Sequence, residues 1–397
     1  MGANVSERPR LVAIRAGALF DGCSAKLLTE PLVIVDGPII LAVDRAVEPP
    51  PGAEIIDLGG ATLLPGLIDT HVHLAFDASA DPAAGLAGRD DDAALAAMTA
   101  AGTVALHGGV TTVRDLGDRA YLALRLRGSD TLPTIAAAGP PVTTPAGHCH
   151  FLGGGVACEG NAIRAAVREH AERGVDVIKV MASGGTMTAG TRQELAQFTP
   201  DVLRAAVDEA HRLGLPVTAH AHGTDAIRNA LDAGVDGMEH VSFWSADGID
   251  DPGELVGRIA GSGVVVGATV GAYPVPGAAP PPAVARRLPH IVANTRRMYE
   301  AGARMVFGTD AGIAPIKPHD VLRYALAQVG AQLAIAPAET LRVATSTAAA
   351  VCGLADRKGR LAPGYHADIL AVDGDPLTDP AAIHRILAVF ARGTRVR

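Results

Sequence analysis

Eight short apolar segments, most of them separated by stretches with helical spacing, limit what this sequence can become. They are LPGLIDTHVHL, GVTTVRDL, TIAAAG, VDVIKVMA, PVTAHAH, VDGMEHV, GVVVGAT and RMVFGTDAG. Between most of them lie Ala-, Leu-, Arg- and Glu-rich runs such as NAIRAAVREHAERG and PDVLRAAVDEAHRLG. The second run opens on Thr199-Pro200-Asp201 and closes at Gly214, the start and stop signals of a helix. Strands alternating with helices predict a parallel sheet with crossover helices. Eight such units over roughly 290 residues predict an α/β fold, a (β/α)8 TIM barrel, with its reactive groups at the C-terminal strand ends. A doubly wound open sheet is the competing architecture, but no GxGxxG follows the first strand.

The texture changes at both ends. LVAIRAGALFDG, LVIVDGPIILAVD and AEIIDLGGATLL are β-rich pieces separated by Asp-Gly, Pro-Gly and Gly-Gly signals. GRLAPGYHADILAVDGDP and ILAVFARGTRVR repeat that texture at the C-terminus. We therefore expect a small β-sandwich domain from residues 1–60 and 353–397 around a barrel of residues 61–352. Two unrelated extensions are the alternative. A Pro-rich segment, 273–283, follows the seventh strand and is long enough for a lid or a passive surface loop.

With 397 residues, 48% hydrophobic and 19% charged, the chain can bury a large core. A formal charge of −8 and 3% aromatic residues offer no basic or base-stacking surface, so no nucleic-acid partner is expected. Cys23, Cys149, Cys158 and Cys352 form no CxxC pair, which suits a reducing compartment. No long uninterrupted apolar run appears and the N-terminus lacks a signal-like core, so a cytoplasmic protein without a membrane partner is expected.

Polar residues placed on that barrel converge. His71 and His73 share a face, because side chains two apart on a strand do. His220 and His222 end the fifth strand, His240 ends the sixth and Asp310 the eighth, while Lys179 lies inside the apolar strand Val175 to Ala182. One such histidine is ordinarily a satisfied core residue. Several on different strand ends, joined by an aspartate, predict a metal site. Arg114 and Asp115 read as a buried pair within the second strand, and Glu239 as a packing or supporting residue facing away from His240.

These pieces, with PGLIDTHVHL, GVTTVRDLG, VDVIKVMASGG, VTAHAHG, VDGMEHV, FGTDAG and GRLAPGYHADILAVDGDP in order, closely resemble the amidohydrolase superfamily. The nearest likeness is the imidazolonepropionase-related group, which includes Xaa-Pro and Xaa-Arg dipeptidases and ochratoxinase-like amidases. The resemblance implies two divalent metal ions, usually zinc. His71, His73 and Asp310 would bind one, His220 and His240 the other, and Lys179 would bridge them after carboxylation by CO2. Taken without the resemblance, Lys179 could equally pair with a barrel carboxylate. Two ions about 3.5–4 Å apart would acidify a bridging water and polarise the scissile carbonyl. Asp310 would shuttle the proton to the leaving nitrogen, and His148 would contact substrate or polarise its carbonyl.

The expected reaction is hydrolysis of an amide bond in a dipeptide or N-acyl amino acid. The alternative is an amidase, esterase or other C–N hydrolase of an uncharged or cyclic substrate; deamination ranks lower because deaminating relatives lack the lysine. For substrate contacts we expect His148, His222, Phe243, Trp244 and Gly184, the glycine letting a substrate backbone approach. Dipeptidases of the group carry a tyrosine shortly after the strand-six histidine, where this chain has Glu239-His240-Val241-Ser242-Phe243-Trp244. Partners are then a small amide or peptide substrate and, by resemblance, further copies in a homo-oligomer.

Overall fold

The computed structural model describes residues 11–275, 280 and 282–397. The eight expected strands are present as β1 (Leu67–Val72), β2 (Val110–Asp115), β3 (Thr134–Ala137), β4 (Ile178–Met181), β5 (Val217–Gly223), β6 (Gly237–Trp244), β7 (Val265–Thr269) and β8 (Arg304–Gly308). All pair in parallel, β1 to β3 as one run and β4 to β8 as another. Two seams close the ring. At one, the Val142 amide donates to Lys179 and the Met181 amide to Val142, both at 2.8 Å. At the other, the Asp310 amide donates to the His71 carbonyl at 2.8 Å and the His73 amide to Ala311 at 3.0 Å. The second seam therefore joins backbone that carries candidate site residues.

The crossover helices follow from their apolar spacing. Pro200–Arg212 begins on proline, whose missing N–H costs nothing in a first turn, and buries Leu203, Ala206, Val207 and Ala210. Burying a leucine or valine of that kind contributes about 1.5–3 kcal/mol each. Gly160–Arg173 buries Ile163, Val167 and His170 and stops at Gly174, whose φ of +82° suits glycine. Among the described residues no helix is long and apolar enough to cross a membrane.

Both chain ends build a β-sandwich. One sheet orders Ile39–Arg45, Pro31–Asp36, Val12–Arg15 and Glu54–Asp57; the other orders Thr394–Arg395, Ile386–Ala391, Ile369–Val372, Thr62–Pro65, Ala18–Leu19 and Leu28–Thr29. Ile14, Val33, Ile40, Leu63, Ile369 and Phe390 fill the space between them. Because Thr62–Pro65 pairs with Ile369–Val372, the chain leaves the sandwich at Pro65, a little later than the expected boundary after residue 60. Much of the Pro-rich segment, 276–279 and 281, lies outside the described residues, and with it the expected lid.

Candidate active site

His71, His73, His148, Lys179, His220, His222, His240 and Asp310 all line one cavity of about 220 Å³ at the C-terminal ends of the barrel strands. Strand geometry explains most of this convergence, and backbone irregularity explains the rest. His240 has φ +72° and Asp310 φ +60°, left-handed values that cost a non-glycine residue about 1–2 kcal/mol each. A register shift between β5 and β6 accompanies the first, re-aiming the side chains there as bulges do.

Five of the six imidazoles, all but His148, are held through one ring nitrogen. His71 Nδ1 meets Glu239 at 3.0 Å, and His73 Nδ1 meets the Gly117 carbonyl at 3.0 Å. His220 Nε2 meets the Gly184 carbonyl at 3.1 Å, His240 Nδ1 the Thr269 hydroxyl at 2.8 Å, and His222 Nδ1 the Ser242 hydroxyl at 2.8 Å. A ring N–H donated to a fixed acceptor leaves the opposite nitrogen with a lone pair. The Nε2 atoms of His71 and His73 then face Asp310 Oδ1 at 3.5 and 3.3 Å. Burial would lower the His73 pKa, but the hydrogen bond and charge of Asp310 outweigh it and raise the value, so a proton on His73 joins this pair in the metal-free chain where a metal ion would otherwise sit. The donor set therefore fits a divalent ion.

Electrostatics agree. Burial pushes His71 and His148 down to about 4 and His222 to about 3, so these rings are neutral at pH 7. Burial alone would raise the Asp310 carboxyl, but His71 and His73 hold it well below the usual range. Burial pulls Lys179 down to about 8, against the charges of Glu239 and Asp310, and leaves about a tenth of it as free amine at pH 7. Lys179 is 1% exposed and, among the described residues, its ammonium has neither a hydrogen-bond acceptor nor a carboxylate partner. The expected alternative of a barrel ion pair is thus not formed.

Metal-competent groupings arise in two places. Ligand atoms of His71, His240 and Asp310 lie within 4.8 Å of one another, and so do those of His220, His222 and His240. His222, expected at the pocket wall, is thus also within the ligand cluster, its ring stacked on His240 at 4.3 Å. His148 hangs from Gln197 through its backbone amide at 2.7 Å, and its buried Nδ1 has no partner among the described residues.

Several expectations need correction. Phe243 is wholly buried and does not line the cavity; its φ of +55° turns the side chain into the core. Trp244 is half-buried beneath the Arg287 guanidinium, 4.5 Å above its ring, and reaches the site only through His222 at 6.3 Å. Gly184 leaves no room for a substrate backbone, because an added Cβ would stand 2.4 Å from the Arg192 carbonyl. Arg114 and Asp115 do not pair, since neighbours on a strand face opposite sides. Arg114 donates to Glu239 and to the Thr70 carbonyl, while Asp115 accepts from the Leu74 and Gly117 amides. Glu239 does not line the cavity and supports it from behind, through His71 and Arg114.

Sequence reasoning missed Asp69, Thr269 and Lys317. Asp69 ties β1 to β8 through the Thr309 amide and hydroxyl, and burial pushes its carboxyl up to about 6. The Asp69-Thr70-His71 alternation was the available signal, because it puts Asp69 on the same side as His71.

The amidohydrolase family model matches residues 62–396. The chain is 29% identical to an ochratoxinase of Aspergillus niger over 426 aligned positions, covering 95% of this chain and 86% of that protein. It is 28% identical to an imidazolonepropionase of Deinococcus deserti, over 92% and 91% of the two chains. The crystal structure of a Xaa-Pro dipeptidase with methionine in its active site superposes with a TM-score of 0.82 at 26% identity, covering 97% and 99%. With the family model matching most of the chain and the fold shared over nearly its whole length, the chain belongs to the amidohydrolase family and is a hydrolase acting on carbon–nitrogen bonds.

Proposed function

We propose that this hydrolase cleaves the amide bond of a dipeptide or N-acyl amino acid at a two-metal centre, zinc being the ion that its imidazole-rich donors suit. His71, His73 and Asp310 would hold one ion, and His220 and His240 the other. Lys179 would bridge them as a carbamate, formed when its neutral amine adds carbon dioxide and releases a proton. The observation that supports this reading is that His71 Nε2 and His73 Nε2 each face Asp310 Oδ1, at 3.5 and 3.3 Å, with their other ring nitrogens already committed. Likeness to a Xaa-Pro dipeptidase and an ochratoxinase supports an amide substrate.

When bound, such ions acidify a water molecule and polarise the scissile carbonyl. The chain's residues supply the remaining steps. Asp310, the one carboxylate lining the cavity among the described residues, takes the proton of the attacking water and delivers it to the leaving nitrogen. His148, neutral, turns its single N–H toward the carbonyl oxygen as negative charge develops there.

The test is a hydrolysis screen of zinc-loaded protein in bicarbonate buffer, with dipeptides and N-acyl amino acids beside matched amides and esters lacking the free carboxylate. Faster turnover of the carboxylate-bearing compounds is expected. If the uncharged ones are faster, the enzyme is instead an amidase or esterase on the same centre. Lys179→Ala should lose metal and activity together; two tightly bound ions in that variant would rule out the bridge.

A further inference from the structure

Lys317 is a cation at the reaction cavity that the steps above leave unused. Its loop follows β8 and folds back on itself. The Gly312 amide donates to the Lys317 carbonyl, and the Lys317 amide to the Ala314 carbonyl, both at 2.8 Å. That turn returns the half-buried side chain to the wall of the cavity that Asp310 and Lys179 also line. The ammonium donates to the Thr309 carbonyl at 2.8 Å and to the Val270 carbonyl at 3.3 Å. An ammonium has three N–H groups, so one donor is left over. Among the described residues no carboxylate lies within ion-pair distance of it; Asp310 and Asp69 attract it from farther off, and the Asp310 oxygen Oδ1 is directed at His71 and His73. Phe76, Met187 and Ile313 line the same cavity, and beside such apolar groups an anion is attracted more strongly than in open water.

We propose that Lys317 determines specificity by binding a carboxylate carried by the leaving amino acid of the substrate. Its tie to Thr309, the residue before Asp310, places it on the side where the leaving nitrogen receives its proton. This assignment rests on the hydrolase reading above.

The experiment uses the full-length, metal-loaded protein as wild type, Lys317→Met, Lys317→Gln and Lys317→Arg. Methionine removes charge and donors, glutamine removes charge but can still donate to the loop carbonyls, and arginine keeps the charge. Substrates are an N-acyl amino acid and its uncharged primary amide. Both uncharged variants should lower kcat/KM for the carboxylate compound by about 10- to 100-fold, mainly through KM, as expected for loss of a charged hydrogen bond. The primary amide should fall much less than the acid, least in Lys317→Gln, which can still donate to the loop carbonyls, and arginine should retain part of the preference. An equal fall for both compounds, or an undiminished preference in the folded uncharged variants, would overturn the proposal and leave Lys317 as a loop pin. Should the wild type cleave neither compound, the N-acyl amino acid reading of the substrate fails by itself. Calorimetric titration of N-acetyl-L-leucine and N-acetyl-L-leucinamide then decides the role of Lys317. Weaker binding of the acid alone by the uncharged variants supports it; unchanged or absent binding of the acid overturns it.

Discussion

His71 holds its orientation through a carboxylate that is itself neutralised. Glu239 accepts from Arg114 at 2.8 Å, from the Thr218 hydroxyl at 2.7 Å and meets His71 at 3.0 Å, all within the barrel interior. Burial would raise its pKa, but Arg114 and His71 outweigh that and hold it at about 2, against an ordinary 4.5. A carboxyl lowered on folding contributes stability that is complete above its unfolded pKa and is lost as pH falls toward the folded value. Glu239 thus stabilises the chain fully above pH 4.5, and its contribution fades between pH 4.5 and 2. In metal-free protein, Glu239→Gln should flatten that acid limb and, by leaving Arg114 uncompensated, cost about 3–5 kcal/mol at neutral pH. It should also weaken zinc binding by about 10- to 100-fold, because His71 loses the acceptor that orients it. Denaturation followed against pH, with chelator competition, measures both. An unaltered acid limb would show that some other carboxyl governs it. A supporting role for Glu239 was legible in the sequence, but its partners were not, because strict alternation sets Glu239 opposite His240. The left-handed backbone at His240 breaks the alternation, and no residue type announces it.

Among the elements, strand ends were legible and loops were not. A histidine at a strand terminus is read from local periodicity, which fixes its face whatever the loops do. That is why the sequence could place His71, His73, His220, His240 and Asp310, with Lys179 behind them, around the one cavity they line. Lys317 escaped because its place depends on a backbone that doubles back from Gly312, a path with no periodic signal. Gly184 was misjudged for the same reason, since its missing side chain makes room for Arg192 rather than for substrate. Its neighbour gives the element-scale prediction. A Cβ on Gly185 would stand 2.3 Å from His148 Nε2, so Gly185→Ala must displace that ring while leaving every candidate ligand in place. On the role proposed for His148, kcat should fall about 100-fold, the loss expected of a misplaced group, with metal content unchanged. Metal analysis beside steady-state kinetics separates the two. Full activity with a displaced ring would remove His148 from the reaction.

At the scale of the whole molecule, barrel and sandwich meet where Asp368 sits. Its carbonyl accepts the Gly66 amide at 2.8 Å, at the point where the chain leaves the sandwich for β1. One carboxylate oxygen accepts the Arg392 amide at 2.8 Å, and the other pairs with Lys358, which is 2% exposed. The GYHADILAVDGDP run was recognisable as sequence, but the partner of its aspartate was not, since pairing Lys358 with Asp368 depends on how the loop between them closes. Buried pairs add modest net stability when intact and are costly to break, because the remaining charge stays buried without a partner. Asp368→Asn keeps the shape and the acceptor for Arg392 but strands the Lys358 ammonium. The expected loss is about 3–5 kcal/mol, read as a lower denaturant midpoint at unchanged slope. Because the aspartate joins the two units, barrel and sandwich should weaken together, in one transition seen alike by Trp244 fluorescence and by far-ultraviolet dichroism. A loss below about 1 kcal/mol would mean that Lys358 reaches water when its partner is removed. The joint would then be held by the backbone pairing of Thr62–Pro65 with Ile369–Val372.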